Sequence, residues 1–241
     1  AGISREGIFM NRVVEFVEND RYSLIRMDDG KANAIDFVIL DQLDEALNRA
    51  EVAGKVLVIT GRPGKFCAGF DLSIMRAGGD DMNRLLQGGA ELAQRWLKFA
   101  TPIVLAVSGH ALAMGGLLLL SADYRIGMRG DFKYGLNEVA IGLTMPRFGV
   151  EIARGRLSHA YFGRSVACAN LFDFQEAKTA GFLDEICAPD ELMSQSAMVA
   201  EQLATLDLVA YRETKARVWK YLYVALEEAI KRDFMDQNQA I

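Results

Sequence analysis

Two short apolar runs bounded by glycine or proline stand out along the chain: GKVLVITG at 54–61 and TPIVLAVSG at 101–109. Neither carries a helical period, and each is short, so both predict strands buried on both faces. Ahead of them, VVEFVEND and YSLIRMDD read as two strands joined by a polar turn at Asn19-Asp20. Asp36 is placed to cap a helix running to about Ala50, with Ile39, Leu40, Leu43 and Leu47 on one face. A helix is predicted from near Leu72, and another over about Asp81 to Phe99 with Leu85, Leu86, Leu92, Trp96 and Leu97 on its apolar side. LLLLSADYRIGM predicts a short buried helix and a third strand, DFKYG one more short strand, and three or four helices close the chain, including 190–205 and 207–235. Buried strands alternating with helices indicate an α/β fold. The last helices mix basic and aromatic residues at helical spacing, the pattern of an amphipathic packing or oligomer surface.

Composition narrows the function classes. The 241 residues are 51% hydrophobic and 24% charged, enough to bury a sizeable core in one large domain. A net charge of −5 gives no electrostatic footprint for nucleic acid. No apolar run approaches the roughly 20 residues of a membrane span. The first ten residues, AGISREGIFM, lack the apolar core of a signal peptide. Three cysteines without CxxC spacing, Cys67, Cys168 and Cys187, argue against a disulfide framework or a zinc site and for a reducing, cytoplasmic compartment. With two histidines in the chain, a metal site or a His-based triad has few candidates, and none is predicted.

Two loops are anomalous. GKFCAGFDL (64–72) and GHALAMGGLLLL (109–120) each follow a buried strand, yet hold small and apolar residues where Asn, Asp and Ser are usual. Small residues let backbone approach a ligand closely. The second loop runs into a helix start, whose first N–H groups have no intrahelical partner. Together the loops can aim two main-chain N–H groups at one oxygen, which is the construction of an oxyanion hole. Small-residue loops also serve close packing, and composition alone does not choose between the two.

Taken together, KANAID (31–36), VLVITGRPGKFCAGFDL (56–72), PIVLAVSGHALAMGGLLLLSADYRIG (102–127), FKYGLNEVAIGLTMP (132–146) and FDFQEAKTAGFLDEICAPDEL (172–192) resemble the crotonase, or enoyl-CoA hydratase/isomerase, superfamily. The resemblance implies a spiral of ββα units over 1–190 and a C-terminal helical trimerisation region over 191–241, in one structural unit. It implies an acyl-CoA thioester as substrate, with coenzyme A belonging to that substrate and no separate cofactor, and a homotrimer or dimer of trimers.

Carried onto this chain, the resemblance places one oxyanion donor at the N–H of Phe70 and the other at Met114, or at Gly115 if the count shifts by one. Lys31, Ala32, Asn33, Ala68, Asp71 and Leu72 match segments along the coenzyme A path, although Asp71 reads equally as the cap of the helix that follows. Relatives that hydrate use two glutamates. GLNE supplies Glu138 for one, and Leu117 stands in the place of the other. One carboxylate suits Δ3-to-Δ2 enoyl-CoA isomerisation, and the motifs are similar to the mitochondrial-type isomerases. A hydratase using Glu138, helped by Glu151, and a non-catalytic acyl-CoA-binding protein are the alternatives, beside the family's hydrolases, dehalogenases and decarboxylases. Val139 and Ile141 are expected to raise the pKa of Glu138. His110 and Cys67 read as structural, Asp123 and Arg125 as a charge pair, and Arg147 and Arg154 as phosphate contacts or solvated helix residues.

Overall fold

A computed structural model describes residues 12–234. Strands β1 (Val14–Glu18) and β2 (Tyr22–Met27) form an antiparallel hairpin, and α1 (Phe37–Ala53) starts at Asp36, whose carboxylate accepts from the N–H of Ile39 at 2.8 Å. Three ββα turns follow. The first is β3 (Val56–Thr60), β4 (Gly64–Cys67), α2 (Leu72–Ala77) and α3 (Gly79–Leu97). The second is β5 (Ile103–Val107), β6 (Gly109–Leu112) and α4 (Met114–Leu120). The third is β7 (Tyr124–Met128), β8 (Tyr134–Gly135) and α5 (Arg147–Arg156).

In each turn the first strand joins one sheet and the second strand joins another. With β9 (Leu171–Phe172) and β10 (Glu185–Cys187), the orders are β1-β2-β3-β5-β7-β10 and β4-β6-β8-β9. All pairings are parallel except β1–β2 and β8–β9. Period-two alternation splits β3 and β5 between two cores. Leu57, Ile59, Ile103 and Leu105 face α1 and α3, while Val56, Val58, Val104 and Ala106 face α8 (Leu192–Leu203). The architecture is the crotonase-like α/β spiral that the sequence implied.

Between the spiral and α8 lie α6 (His159–Val166) and α7 (Phe174–Ala180). The stretch predicted as one helix from 207 is two, α9 (Leu208–Val218) and α10 (Lys220–Phe234), and position 235 lies outside the described residues. Trp219 breaks the run; its ring lies under the guanidinium of Arg156, 4.3 Å away. The last helix is tied to the core through Tyr223 Oη donating to Leu97 O at 2.7 Å and through the Arg147–Asp233 ion pair at 3.1 Å.

Asp123 and Arg125 do not pair with each other. The Asp123 carboxylate takes the Lys215 ammonium at 2.9 Å and the Ile103 N–H at 2.8 Å. Arg125 forks onto Asp184 with two 2.7 Å bonds. Adjacent strand residues point to opposite faces, but these two are separated by one residue; sequence proximity hid that each has a closer partner far along the chain. Arg147 is held by Asp233, and Arg154 by Glu151 and the Phe162 ring, so both are surface packing groups.

Candidate active site

Parallel pairing of β4, β6 and β8 brings three loops side by side, with the β6–α4 turn in the middle. On one flank, Gly69 at φ +98° leaves no room for a Cβ, which would stand 2.9 Å from the Ala113 Cβ and 3.5 Å from the Met114 nitrogen. On the other flank, the Ala113 N–H donates to Gly135 O at 3.0 Å, which fixes the segment leading to Glu138. Gly115 sits against Cys67; a Cβ there would lie 2.2 Å from that carbonyl oxygen. The small residues of both anomalous loops exist so that these backbones can touch.

The backbone amides follow from this contact. Gly69 O accepts from Ile35 N at 2.7 Å and Asp71 N donates to Ile35 O at 2.9 Å, so residue 70, between them, turns its N–H the other way. Met114 is the first residue of α4, where the N–H has no intrahelical acceptor. The Met114 side chain is buried, with its methyl beside Gly89, and is absent from the cavity wall. The methionine therefore does not narrow the site.

The three loops border a cavity of about 240 Å³. Ala68, Phe70, Leu72 and Met75 form one wall and Leu117 another. Met82 and Leu86 of α3 contribute as well, with Leu143 and Phe148 opposite the loops. Three polar side chains line it: Asn137, Glu138 and Thr144. Glu138 is 8% exposed, its Oε2 has no hydrogen-bond partner among the described residues, and burial pushes its pKa up to about 7. Both expected neighbours are exposed, Val139 at 46% and Ile141 at 48%, and only Ile141 touches the cavity. Leu117 occupies the wall where a second carboxylate was absent from the sequence pattern. Glu151 is no substitute, because its carboxylate pairs with Arg154 at 3.4 Å and it does not line the cavity.

The candidate coenzyme A contacts divide. Ala68 and Leu72 face the catalytic cavity, while Lys31, Ala32 and Asp71 line an adjoining cleft of about 430 Å³. The Asn33 side chain is fully buried, its amide donates to the carbonyls of Met27 and Phe66 at 3.0 and 3.2 Å, and its oxygen accepts from Asp29 N. A side chain so occupied locks the loop and has no donor left for a ligand. Asp71 is the cap of α2, accepting from the N–H groups of Ser73 and Ile74, and its pKa is lowered chiefly by the Ser73 hydroxyl. His110 Nδ1 accepts from Lys133 N at 3.0 Å, a structural role. The Cys67 thiol is pushed up to about 12 by burial and stays protonated. Sequence reasoning did not single out Asn137, whose Oδ1 is buried without a partner among the described residues. Its only signal was adjacency to Glu138.

Fold and site together define an α/β enzyme with one buried carboxylate in an apolar cavity, beside a turn that leads into a helix N-terminus. The chain belongs to the enoyl-CoA hydratase/isomerase family, whose model matches residues 18–241. It is 28% identical to a probable enoyl-CoA hydratase of Rhizobium meliloti over 88% of this chain and 82% of that protein. An enoyl-CoA hydratase/isomerase family protein from "Psudomonas syringae" superposes with a TM-score of 0.90 and 40% identity over 92% of this chain and 96% of the other. A Mycobacterium tuberculosis protein, named an enoyl-CoA isomerase in one structure and a probable enoyl-CoA hydratase in another, superposes in the first with a TM-score of 0.89 and 35% identity over 93% of this chain and 98% of the other.

Proposed function

We infer that this enzyme is a Δ3-to-Δ2 enoyl-CoA isomerase. The observation that carries the reading is the wall of the catalytic cavity: among the described residues Glu138 is its one ionisable side chain, and Leu117, the position that the family resemblance matches to a hydratase's second glutamate, is an apolar part of the same wall. The N–H groups of Phe70 and Met114 receive the thioester carbonyl oxygen. The ionised Glu138 removes a proton from C2 of the 3-enoyl thioester, and the electrons move onto that oxygen as a dienolate. The protonated Glu138 then returns the proton to C4, the C2–C3 double bond forms, and the carboxylate is regenerated. No water enters the equation.

Magnitudes fit this division of labour. One preorganised oxyanion donor is worth about 3 kcal/mol of barrier, and proton transfer by a positioned carboxylate roughly 10²–10⁴ in rate. A base with a pKa near 7 is strong enough to take an acidified C2 proton and weak enough to give it back. A homotrimer or dimer of trimers accompanies this reading, supported by the exposed Met198, Tyr221 and Val224.

The test supplies 3-enoyl-CoA and follows the ultraviolet absorbance of the conjugated 2-enoyl thioester. Absorbance that rises, and is lost in Glu138→Gln, is the expected result. Consumption of 2-enoyl-CoA with water addition instead would establish the hydratase. Saturable CoA-ester binding without turnover of either substrate would establish a binding protein.

A further inference from the structure

The part of the catalytic cavity wall that α3 supplies is built on one stripe of that helix. Met82 and Leu86 line the cavity, and Gly89 follows them at helical spacing on the same face. Gly89 stands in the middle of a 19-residue helix, where alanine is the better helix former, so the glycine has a packing reason. That reason is Phe70. A Cβ on Gly89 would stand 2.3 and 2.5 Å from the Cζ and Cε1 atoms of the Phe70 ring. The ring edge lies in a notch of α3 that only a glycine leaves.

Nothing around the notch can give way in place of the ring. The Met114 methyl would be 3.4 Å from the same Cβ, and it belongs to a fully buried side chain. The main chain at residue 70 is pinned to Ile35 on both sides, through Gly69 O and Asp71 N. Helix α3 is held against retreat: Ala90, Ala93 and Trp96 are fully buried, and Arg95 ties the helix to Asp44 and Glu51 of α1. Ordinary carbon contacts lie at about 3.5–4 Å. A methyl at Gly89 therefore drives the ring more than about 1 Å into the cavity that Phe70 already lines.

We propose that Gly89 sets the length of acyl chain that the cavity accepts, by holding the Phe70 ring out of it. The glycine touches no substrate; it is a positioning residue that acts through the ring. Because the main chain at residue 70 is pinned, the notch governs acyl capacity and not the oxyanion contact. A short acyl group leaves part of the cavity of about 240 Å³ empty and tolerates an intruding ring, whereas a longer one loses apolar contact and meets it. The inference rests on the reading of this cavity as the acyl-CoA site, and not on isomerisation.

Butanoyl-CoA and octanoyl-CoA, which are saturated and so cannot be isomerised or hydrated, are titrated into the full chain by calorimetry. The isomerase reading stands or falls on the 3-enoyl-CoA assay, this proposal on the ratio of the two affinities. Gly89→Ala lowers the octanoyl-to-butanoyl ratio roughly 10-fold, the scale of one methylene too many in a closed pocket. Phe70→Leu in the Gly89→Ala background restores the ratio, because the shorter side chain leaves room for the methyl. Gly88→Ala is the control for helix packing: its Cβ faces α1, 2.7 Å from Leu40 Cδ1, and the ratio stays native. Phe70→Leu alone raises the ratio, which keeps the test open should Gly89→Ala fail to fold. An unchanged ratio in Gly89→Ala or in Phe70→Leu overturns the proposal. So does an equal fall in Gly88→Ala, no rescue in the double variant, or no binding of either ester to the native protein.

Discussion

Replacing Glu138 by Gln removes one ionisable group from an apolar cavity and should change stability in a pH-dependent way. The carboxyl is 8% exposed, and burial raises its pKa from 4.5 to about 7. Below pH 4.5 the group is neutral in both folded and unfolded chains and costs nothing. Above that the unfolded chain ionises alone, so the folded state loses stability until pH passes 7, where the loss is complete. At 1.36 kcal/mol per pH unit, the gap between 4.5 and about 7 amounts to about 3 kcal/mol. The substituted amide is neutral throughout. The variant should therefore gain about 3 kcal/mol on the native protein between pH 4.5 and pH 8. For a chain of this size that is roughly 6–12 °C in Tm, an upper bound that assumes the cavity stays dry. The assay is thermal or urea unfolding of both proteins at pH 4.5, 6, 7 and 8, at one protein concentration because assembly shifts Tm. A stability difference that does not move with pH, or a variant that loses ground at pH 8, would refute the buried, unpartnered state of this carboxylate.

The same group sets the activity profile: kcat/KM should fall as pH drops below about 7, because only the ionised form can accept the C2 proton, and a pH–rate series checks it. Gly115→Ala puts a methyl 2.2 Å from the Cys67 carbonyl and forces the two oxyanion loops apart. A kcat loss of about 10²–10³ with the helical circular-dichroism signal retained is expected. Lys215→Met takes the ammonium from the part-buried Asp123, which keeps only the Ile103 N–H of the two contacts described, and should cost about 3 kcal/mol in denaturant unfolding. Leu117→Glu should depress isomerisation and bring measurable water addition to 2-enoyl-CoA, read by absorbance loss.

Periodicity and caps were enough for the elements, because local physics fixes them. The glycine-bounded runs became β3 and β5, Asp36 caps α1, and α3 starts and ends within two residues of its predicted limits. The motif order was enough for the family and the α/β spiral. The two stretches were visible as unusual but misread as wholly loop: Gly64–Cys67 is β4 and Gly109–Leu112 is β6, so Phe66, Cys67 and Ala111 are apolar because they are buried strand residues, and only the short turns after them form the site. The break at Trp219 was not visible: the amphipathic period continues across it, and there the ring stacks under the Arg156 guanidinium of α5.

Pairing and burial belonged to the tertiary structure. Asp123 and Arg125 are neighbours in sequence, and only the packing of α9 and of the segment before β10 gave each its own partner. Asn33 looked like a ligand contact until its amide was seen to be spent on backbone carbonyls. Glu151 was a candidate second carboxylate until α5 turned it toward Arg154. Identity and local pattern are written along the chain, but the pKa of Glu138 and the cavity around it depend on what distant segments bring near. Desolvation and charge balance are sums over space, and spacing along a sequence does not contain them.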